Sequence, residues 1–221
     1  MTGENSGDDI RPIYLCIDDA LLTERARPLA QRRIAELVRQ IQHSALLPQL
    51  RVSALSFSAQ VHTLHQLAEL DATQFDPIGL RHADRPPSHL SPRFDVLFTH
   101  LRRQIGQDVQ QLQADGFAVR RPCVCLFTDG WAGDDWSAAY EELTAYDSEL
   151  QTGFAARPDI VAVPVDSPDL TALRHMVMPR RRSSIVPCPA GTHGDIDVEG
   201  VLRVLLHRTR PLLMGIYDEQ N

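Results

Sequence analysis

Lysine is absent from this sequence: all 22 basic residues among its 221 residues are arginines. Chemistry that requires a lysine amine is therefore excluded. The net charge of −7 argues against nucleic acid or an anionic membrane as the main partner, because both attract basic surfaces. With 43% hydrophobic and 23% charged residues, the composition is typical of a soluble globular domain with a sizeable core.

Cysteine is also sparse, with four residues in the chain. No two of them have the C-x-x-C spacing of zinc or thioredoxin-type redox sites. Three lie in apolar, strand-like segments, where a free thiol behaves as a small hydrophobic side chain: Cys16, Cys123 and Cys125. Cys123 and Cys125 are two residues apart and would share one face of a strand. We expect these thiols to be packed and reduced.

Several functional motifs are missing as well. The sequence contains no G-x-G-x-x-G or G-x-x-x-x-G-K-[ST] motif for nucleotide phosphates and no serine-centred nucleophile elbow. No apolar run is long enough to span a bilayer. Residues 1–10 are polar and acidic, lack the apolar core of a signal peptide, and are expected to form a disordered tail. We therefore expect a cytoplasmic protein.

The most informative features present are two short apolar segments that each end on a carboxylate. Ile13–Asp19 reads IYLCIDD, and Val124–Gly130 reads VCLFTDG. Both are predicted to be buried β-strands. In open α/β sheets, ligands bind in the crevice beyond the carboxyl ends of the strands. We therefore expect Asp18, Asp19 and Asp129 to contribute to a single site.

Apolar periodicity predicts strands that alternate with helices along the chain. Strands are expected at residues 12–18, 51–58, 61–67, 122–128, 160–165 and 185–186, and helices at residues 27–43, 92–114, 135–150, 168–176 and 197–209. This order indicates an α/β fold with a doubly wound, mostly parallel sheet, one antiparallel edge strand and helices on both faces. Ser91 is expected to cap the second helix, with Pro92 as its first residue. One domain is expected over residues 11–214, followed by a tail at residues 215–221.

The order of these parts resembles a von Willebrand factor A (vWA) domain, in particular the small bacterial TerY-like type associated with tellurium resistance. The resemblance covers about residues 11–210 and rests on Pro12–Asp18, Ser91-Pro92, Leu126–Gly130 with Asp134–Trp136, and Ile160–Val165. It implies a Rossmann-like module that binds partner proteins. It also implies a stress or tellurite-resistance-type system with kinase or phosphatase components among the partners.

The resemblance further implies a metal-ion-dependent adhesion site (MIDAS), built from an Asp-x-Ser-x-Ser motif, a threonine and a later aspartate. Asp18 and Asp129 match the two aspartates, and Ser91 stands where the threonine would be. The two serine positions are Ala20 and Leu22, which offer no oxygen ligand, although Mg²⁺ demands octahedral oxygen coordination. The site is therefore interpreted as degenerate. No cofactor is expected, and the three remnant positions would bind Mg²⁺ weakly at best.

The predicted function is non-enzymatic docking of a protein partner on the loop face at the carboxyl ends of the strands. The expected contact residues are Asp18, Asp19, Leu22, Ser91, Asp129 and Trp131. Trp131 directly follows the Asp129-Gly130 pair, so it either stands on this face as a contact hot spot or folds back onto Trp136 or the long loop at residues 68–90. One alternative is a divergent metal-dependent phosphatase or hydrolase that uses Asp18, Asp19 and Asp129. Another is a structural subunit whose loop face contributes nothing.

Overall fold

The computed structural model describes residues 9–19, 27–44, 49–70, 92–130, 135–165, 170–177, 184–186 and 195–209. Within these ranges the strands are β1 (Asp9–Asp18), β2 (Leu50–Phe57), β3 (Val61–Ala68), β4 (Ala118–Val119), β5 (Cys123–Thr128), β6 (Tyr146–Asp147), β7 (Thr152–Gly153), β8 (Asp159–Pro164) and β9 (Ser184–Ile185). The helices are α1 (Arg27–Gln42), α2 (Phe94–Ala114), α3 (Ser137–Thr144), α4 (Leu170–Val177) and α5 (Val198–Thr209). None of these described helices is long and apolar enough to cross a bilayer.

Seven of these strands form one sheet with the order β3-β2-β1-β5-β8-β9, to which β4 is added beside β1. β1 pairs in parallel with β2 and β5, and β8 and β9 continue the sheet in parallel. β3 pairs antiparallel with β2 and is the predicted antiparallel edge strand. These pairings confirm the doubly wound, mostly parallel α/β fold. Because the chain leaves β1 toward β2 on one side while β5 lies on the other, the sheet has its topological switch point between β1 and β5.

Helices cover both faces of the sheet. α1 and α5 pack on one face against side chains that include Ile13 and Leu15 of β1. α2, α3 and α4 pack on the other face against side chains that include Tyr14 and Cys16. Alternate residues of a strand point to opposite faces, so β1 is buried from both sides and reads as an almost continuous apolar run.

The cysteines of β1 and β5 are fully buried thiols, which confirms their prediction as packing residues. Cys123 and Cys125 lie together on the α1 and α5 side, and Cys16 lies on the opposite side. The pKa of the Cys125 thiol is raised mainly by a hydrogen bond with Cys123 and also by burial. Burial also raises the pKa of the Cys16 thiol. Such thiols stay protonated and behave as hydrophobic side chains.

The predicted start of the second helix was wrong. α2 begins at Phe94, and Arg93 rather than Ser91 occupies its N-cap position. The backbone amide of Arg93 donates to the carbonyl oxygen of Ser58 at 2.9 Å, a tertiary contact that holds Arg93 in an extended conformation before the helix. The Arg93 side chain pairs with Asp95, whose carboxylate adds favourable negative charge to the first turn. Ser91 lies outside the described residues.

The predicted helix at residues 135–150 was too long, since α3 ends at Thr144. The chain then forms the small antiparallel hairpin β6–β7. The Asp147 carboxylate organises its turn by accepting hydrogen bonds from the backbone amides of Glu149 and Leu150 at 2.9 and 3.0 Å. Aspartate side chains compete in this way with the helical backbone, which explains the early end of α3.

The first strand begins earlier than predicted. Asp9 and Ile10 pair with Ala118 and Val119 of β4, so these two residues belong to the sheet rather than to the expected tail at residues 1–10. Residues 1–8 and 210–221 lie outside the described part of the chain. The prediction of one domain over residues 11–214 therefore remains a prediction.

Candidate functional site

A buried side-chain hydrogen bond joins the carboxyl ends of β1 and β5. Parallel pairing of these strands ends at Ile17 and Phe127, so Asp18 and Thr128 are the next residues on each strand. The Thr128 hydroxyl donates to Oδ2 of Asp18 at 2.8 Å, and both residues are fully buried. A buried carboxylate requires such a donor because it has lost its contact with water. Asp18 therefore lies inside the crevice at the switch point of the sheet.

The turn after β5 is tied to the same hydroxyl. The backbone amide of Gly130 donates to Oγ1 of Thr128 at 3.0 Å. Gly130 has a φ of +82°, a left-handed conformation that glycine adopts without the steric cost of a Cβ atom. Hydrogen bonds therefore run from the Gly130 amide through the Thr128 hydroxyl to the Asp18 carboxylate. We call this arrangement the Asp18–Thr128–Gly130 chain.

Two more of the predicted carboxylates lie at the rim of the crevice. Asp19 directly follows β1, and Asp129 stands between Thr128 and Gly130; both are half-buried. Each takes part in interactions within the protein. The fold thus brings Asp18, Asp19 and Asp129 together at the carboxyl ends of the central strands β1 and β5. The other predicted contact residues, Leu22, Ser91 and Trp131, lie outside the described residues.

The β2–β3 turn positions the start of α2 next to this crevice. β2 ends at Phe57, which is the register partner of Asp18 on β1. The next residue, Ser58, donates its amide to the carbonyl of Gln60 at 3.0 Å and accepts the Arg93 amide at 2.9 Å. The N-terminus of α2 is therefore fixed near the end of β1 by backbone hydrogen bonds.

Aromatic packing holds the start of α3, the first helix after β5. The half-buried Trp136 ring makes edge-to-face contacts with Phe98 and Tyr140, with centroids 6.1 and 5.6 Å apart. The Tyr140 hydroxyl donates to the carbonyl of Met176 on α4. Each aromatic pair of this kind adds about 0.5–1.5 kcal/mol beyond its area burial. Trp136 is therefore a structural residue, and the predicted alternative of Trp131 packing against it falls outside the described residues.

Among the residues that the structure describes, the donor set of the crevice does not form a complete cation site. Within the described ranges, no group of three or more His, Cys, Asp or Glu side chains is arranged to hold a metal. Oδ2 of Asp18 is engaged by the Thr128 hydroxyl. Ala20 and Leu22 occupy the sequence positions that a MIDAS motif gives to serine hydroxyls. Carboxylates alone, in this number, do not complete the octahedral oxygen shell of Mg²⁺. We therefore assign no functional step to a metal, and the absence of a cofactor stays a prediction.

Comparison with solved structures identifies the fold. The VWA domain of SpRpn10 superposes with a TM-score of 0.51 at 14% sequence identity, over 95% of this chain and 100% of that domain. The chain has the vWA fold. No family model matches the sequence, and no curated protein matches it.

Two other vWA-like neighbours are metal-bound. Proximal thread matrix protein 1 from the mussel byssus, in a form with a zinc-occupied MIDAS motif, has a TM-score of 0.53 at 15% identity over 77% of this chain. The chain spans under half of that protein's length, 42%. Manganese-loaded Plasmodium vivax TRAP protein has a TM-score of 0.56 at 12% identity, over 90% of this chain and 73% of that chain. At these identities the likeness establishes the fold alone.

Sequence reasoning missed Thr128 as a member of the site. The residue was visible in the Thr128-Asp129-Gly130 motif, but its partner Asp18 is 110 positions away. The available signal was its place as the last residue of a buried strand, where a hydroxyl must find a hydrogen-bond partner. The sequence indicates that requirement but does not identify which partner satisfies it.

Proposed function

We propose that this protein is a non-enzymatic interaction module that docks a partner protein on the loop face at the carboxyl ends of β1 and β5. The observation that supports this most strongly is the buried hydrogen bond from Thr128 to Asp18 at the switch point. It satisfies the Asp18 carboxylate within the protein, whereas a catalytic carboxylate must reach a substrate. In this proposal Asp19 and Asp129 at the rim, together with Leu22, Ser91 and Trp131, form the contact surface.

The chemistry of this surface defines the partner that it fits. Trp131 and Leu22 would supply the apolar anchor of the contact, since aromatic residues dominate binding energy at interfaces. The rim carboxylates and the net charge of −7 favour a partner with a basic contact surface, because complementary charge increases the association rate and the specificity. In this metal-free mode, the apolar loop residues replace a cation bridge between the two proteins.

We further propose that the module is of the TerY-like type. The sequence resemblance supports a role in a stress or tellurite-resistance-type system, with kinase or phosphatase components as partners, and we propose that this role is cytoplasmic. The degenerate MIDAS, with remnant positions Asp18, Ser91 and Asp129, belongs to the same proposal.

Site-specific photo-crosslinking tests the docking face. A photoreactive phenylalanine analogue is placed at position 131 and, as a matched control, at position 150. Leu150 is 71% exposed on the β6–β7 hairpin, which leads into the start of β8 at the opposite end of the sheet. In a lysate of the source cells, a discrete adduct is expected from position 131, absent from position 150, and weakened by Leu22→Ser. Equal adducts from both positions would contradict the proposal that the partner docks on this face.

The enzymatic alternative is less well supported, and a direct assay separates it. A divergent phosphatase or hydrolase would use Asp18 as a nucleophile or ligand, but that carboxylate is fully buried and bonded to Thr128. Hydrolysis of a generic phosphate ester with Mg²⁺ or Mn²⁺ is expected to be absent. Turnover that disappears in Asp18→Ala and in Asp129→Ala would establish the alternative.

A further inference from the structure

We propose that Thr128 is a positioning residue that couples Asp18 at the end of β1 to the Asp129-Gly130 turn after β5. The coupling itself follows from the contacts of described residues. Its importance for partner docking rests on the proposed function, because the coupled turn carries Asp129 and leads to position 131.

One hydroxyl, that of Thr128, serves both strand ends. Thr128 donates its single proton to Asp18 at 2.8 Å and accepts the Gly130 amide at 3.0 Å. A hydroxyl has one donor and two acceptor lone pairs, so it performs both roles at once. When Thr128 donates to a carboxylate, its oxygen becomes a better acceptor for the Gly130 amide, because linked hydrogen bonds polarise one another.

Both hydrogen bonds of the coupling lie in the interior of the domain. Asp18 and Thr128 are fully buried, and Gly130 is buried as well. Water therefore does not replace either hydrogen bond when one is lost, and the remaining group bears the cost of burial. The Gly130 turn also depends on a φ of +82°, so its amide has a defined direction toward Thr128.

The coupling joins the two strand ends that carry Asp18 and Asp129. In a metal-loaded site, a cation would connect loops from the two strands through shared oxygen ligands. The Asp18–Thr128–Gly130 chain connects these two strand ends through hydrogen bonds. Asp18 acts in this arrangement as the hydrogen-bond acceptor of the Thr128 hydroxyl.

Amide hydrogen exchange measured by NMR tests the coupling without a partner. Thr128→Val keeps the shape of the side chain but removes the hydroxyl, and about a tenfold faster exchange of the Gly130 amide is expected from the loss of one hydrogen bond. Thr128→Ser keeps the hydroxyl and is expected to restore protection. The amides of Val124 and Leu126 in β5 report global stability and should change much less. Equal acceleration in β5, or identical behaviour of the Ser and Val variants, would overturn the proposal.

Substitutions at Asp18 provide a second, independent measurement. In Asp18→Ala the Gly130 amide still has Thr128 as its acceptor, so faster exchange there reports coupling through the hydroxyl. Asp18→Asn retains an oxygen acceptor and is expected to preserve protection of Gly130, whereas a role based on charge predicts the same loss as in Asp18→Ala. The double variant Thr128→Val/Asp18→Ala should exchange no faster at Gly130 than Thr128→Val alone. Unchanged exchange in Asp18→Ala would overturn the coupling.

The exchange data and the crosslinking data can fail separately. If exchange behaves as expected but the position 131 adduct is absent, the docking function is wrong and the role of Thr128 stands. If the adduct forms but Gly130 exchange is unaffected by Thr128→Val, the positioning role is wrong and the docking function stands.

Discussion

Arg11 and Asp159 form an ion pair inside the domain, with Nη2 and Oδ2 2.9 Å apart and side chains only 5% and 8% exposed. They lie at the starts of β1 and β8, the two strands that flank β5. The pair therefore links the amino-terminal parts of β1 and β8 across β5. This is the edge of the sheet opposite to the Thr128–Asp18 hydrogen bond, so each end of β5 is bracketed by a polar contact.

Removing one partner of this ion pair is expected to destabilise the fold strongly. Asp159→Ala leaves the Arg11 guanidinium buried without its main counter-charge, and such losses typically cost about 3–5 kcal/mol. The matched control is Glu69→Ala: its ion pair with Arg51 involves a glutamate that is 77% exposed, and it should cost less than about 1 kcal/mol. Urea unfolding of both variants gives the comparison. Similar losses for the two would mean that burial of the Arg11–Asp159 pair has no special effect.

Asp108 on α2 is expected to make stability depend on pH. Partial burial raises the pKa of the Asp108 carboxyl, against the opposing effect of hydrogen bonds from Tyr14 and Gln104. The folded state thus holds this proton to higher pH than the unfolded state does. The stability that this protonated carboxyl contributes is fully present below the pKa of Asp108 in the unfolded state, about 4. It is lost as the pH rises through the pKa of Asp108 in the folded state.

The variant Asp108→Asn removes this titration while its amide oxygen can still accept the Tyr14 hydroxyl, which lies 2.8 Å from the wild-type carboxylate. The free energy of unfolding of the variant, relative to wild type, should therefore increase as the pH is raised from 4 to 7. Urea titrations at several pH values measure the difference. A difference that is constant or decreases with pH would show that Asp108 titrates normally in the fold.

The parts of this fold that were predictable from sequence depend on local pattern. Buried parallel strands are continuous apolar runs, so the end of β1 at Asp18 and the end of β5 just before Asp129 could be located, and their meeting followed from parallel geometry. The errors arose where side-chain or distant backbone hydrogen bonds override the local preference for a helix. The Ser91-Pro92 pair has the composition of a helix start, but the hydrogen bond from Arg93 to Ser58 delays the helix. Thr128 was missed because its side-chain partner, Asp18, is 110 positions away.

The β6–β7 hairpin depends on a glycine that no other residue can replace without strain. Gly153 has a φ of +94°, and a Cβ atom there would lie 2.5 Å from the carbonyl oxygen of Ala145, which accepts the Phe154 amide. Gly116 has a similar φ of +90°, but a Cβ atom would meet no atom of the described residues within 4 Å. Gly116→Ala should cost roughly 1–2 kcal/mol from backbone strain alone.

The variant Gly153→Ala should cost more than Gly116→Ala by about 1–3 kcal/mol, because the steric overlap involves a backbone atom that cannot rotate away. Both variants carry the backbone strain of a positive φ, so the difference between their free energies of unfolding measures the steric overlap with the Ala145 carbonyl alone. If the two variants are equally stable, the hairpin relaxes at no cost and the close approach to Ala145 does not constrain it.

Restoring oxygen ligands to the loop after β1 tests the interpretation of a degenerate metal site. The double variant Ala20→Ser/Leu22→Ser recreates the Asp-x-Ser-x-Ser motif beginning at Asp18. Since a ligand that binds only the folded state stabilises it, a cation at 100 times its dissociation constant should add about 2.7 kcal/mol to the free energy of unfolding of the variant. Thermal unfolding with and without Mg²⁺ or Mn²⁺ measures this gain, and adding Asp129→Ala should abolish it. Wild type is expected to gain little. A wild-type gain equal to that of the double variant, and equally lost in Asp129→Ala, would mean that the native residues already complete a cation site without the two hydroxyls.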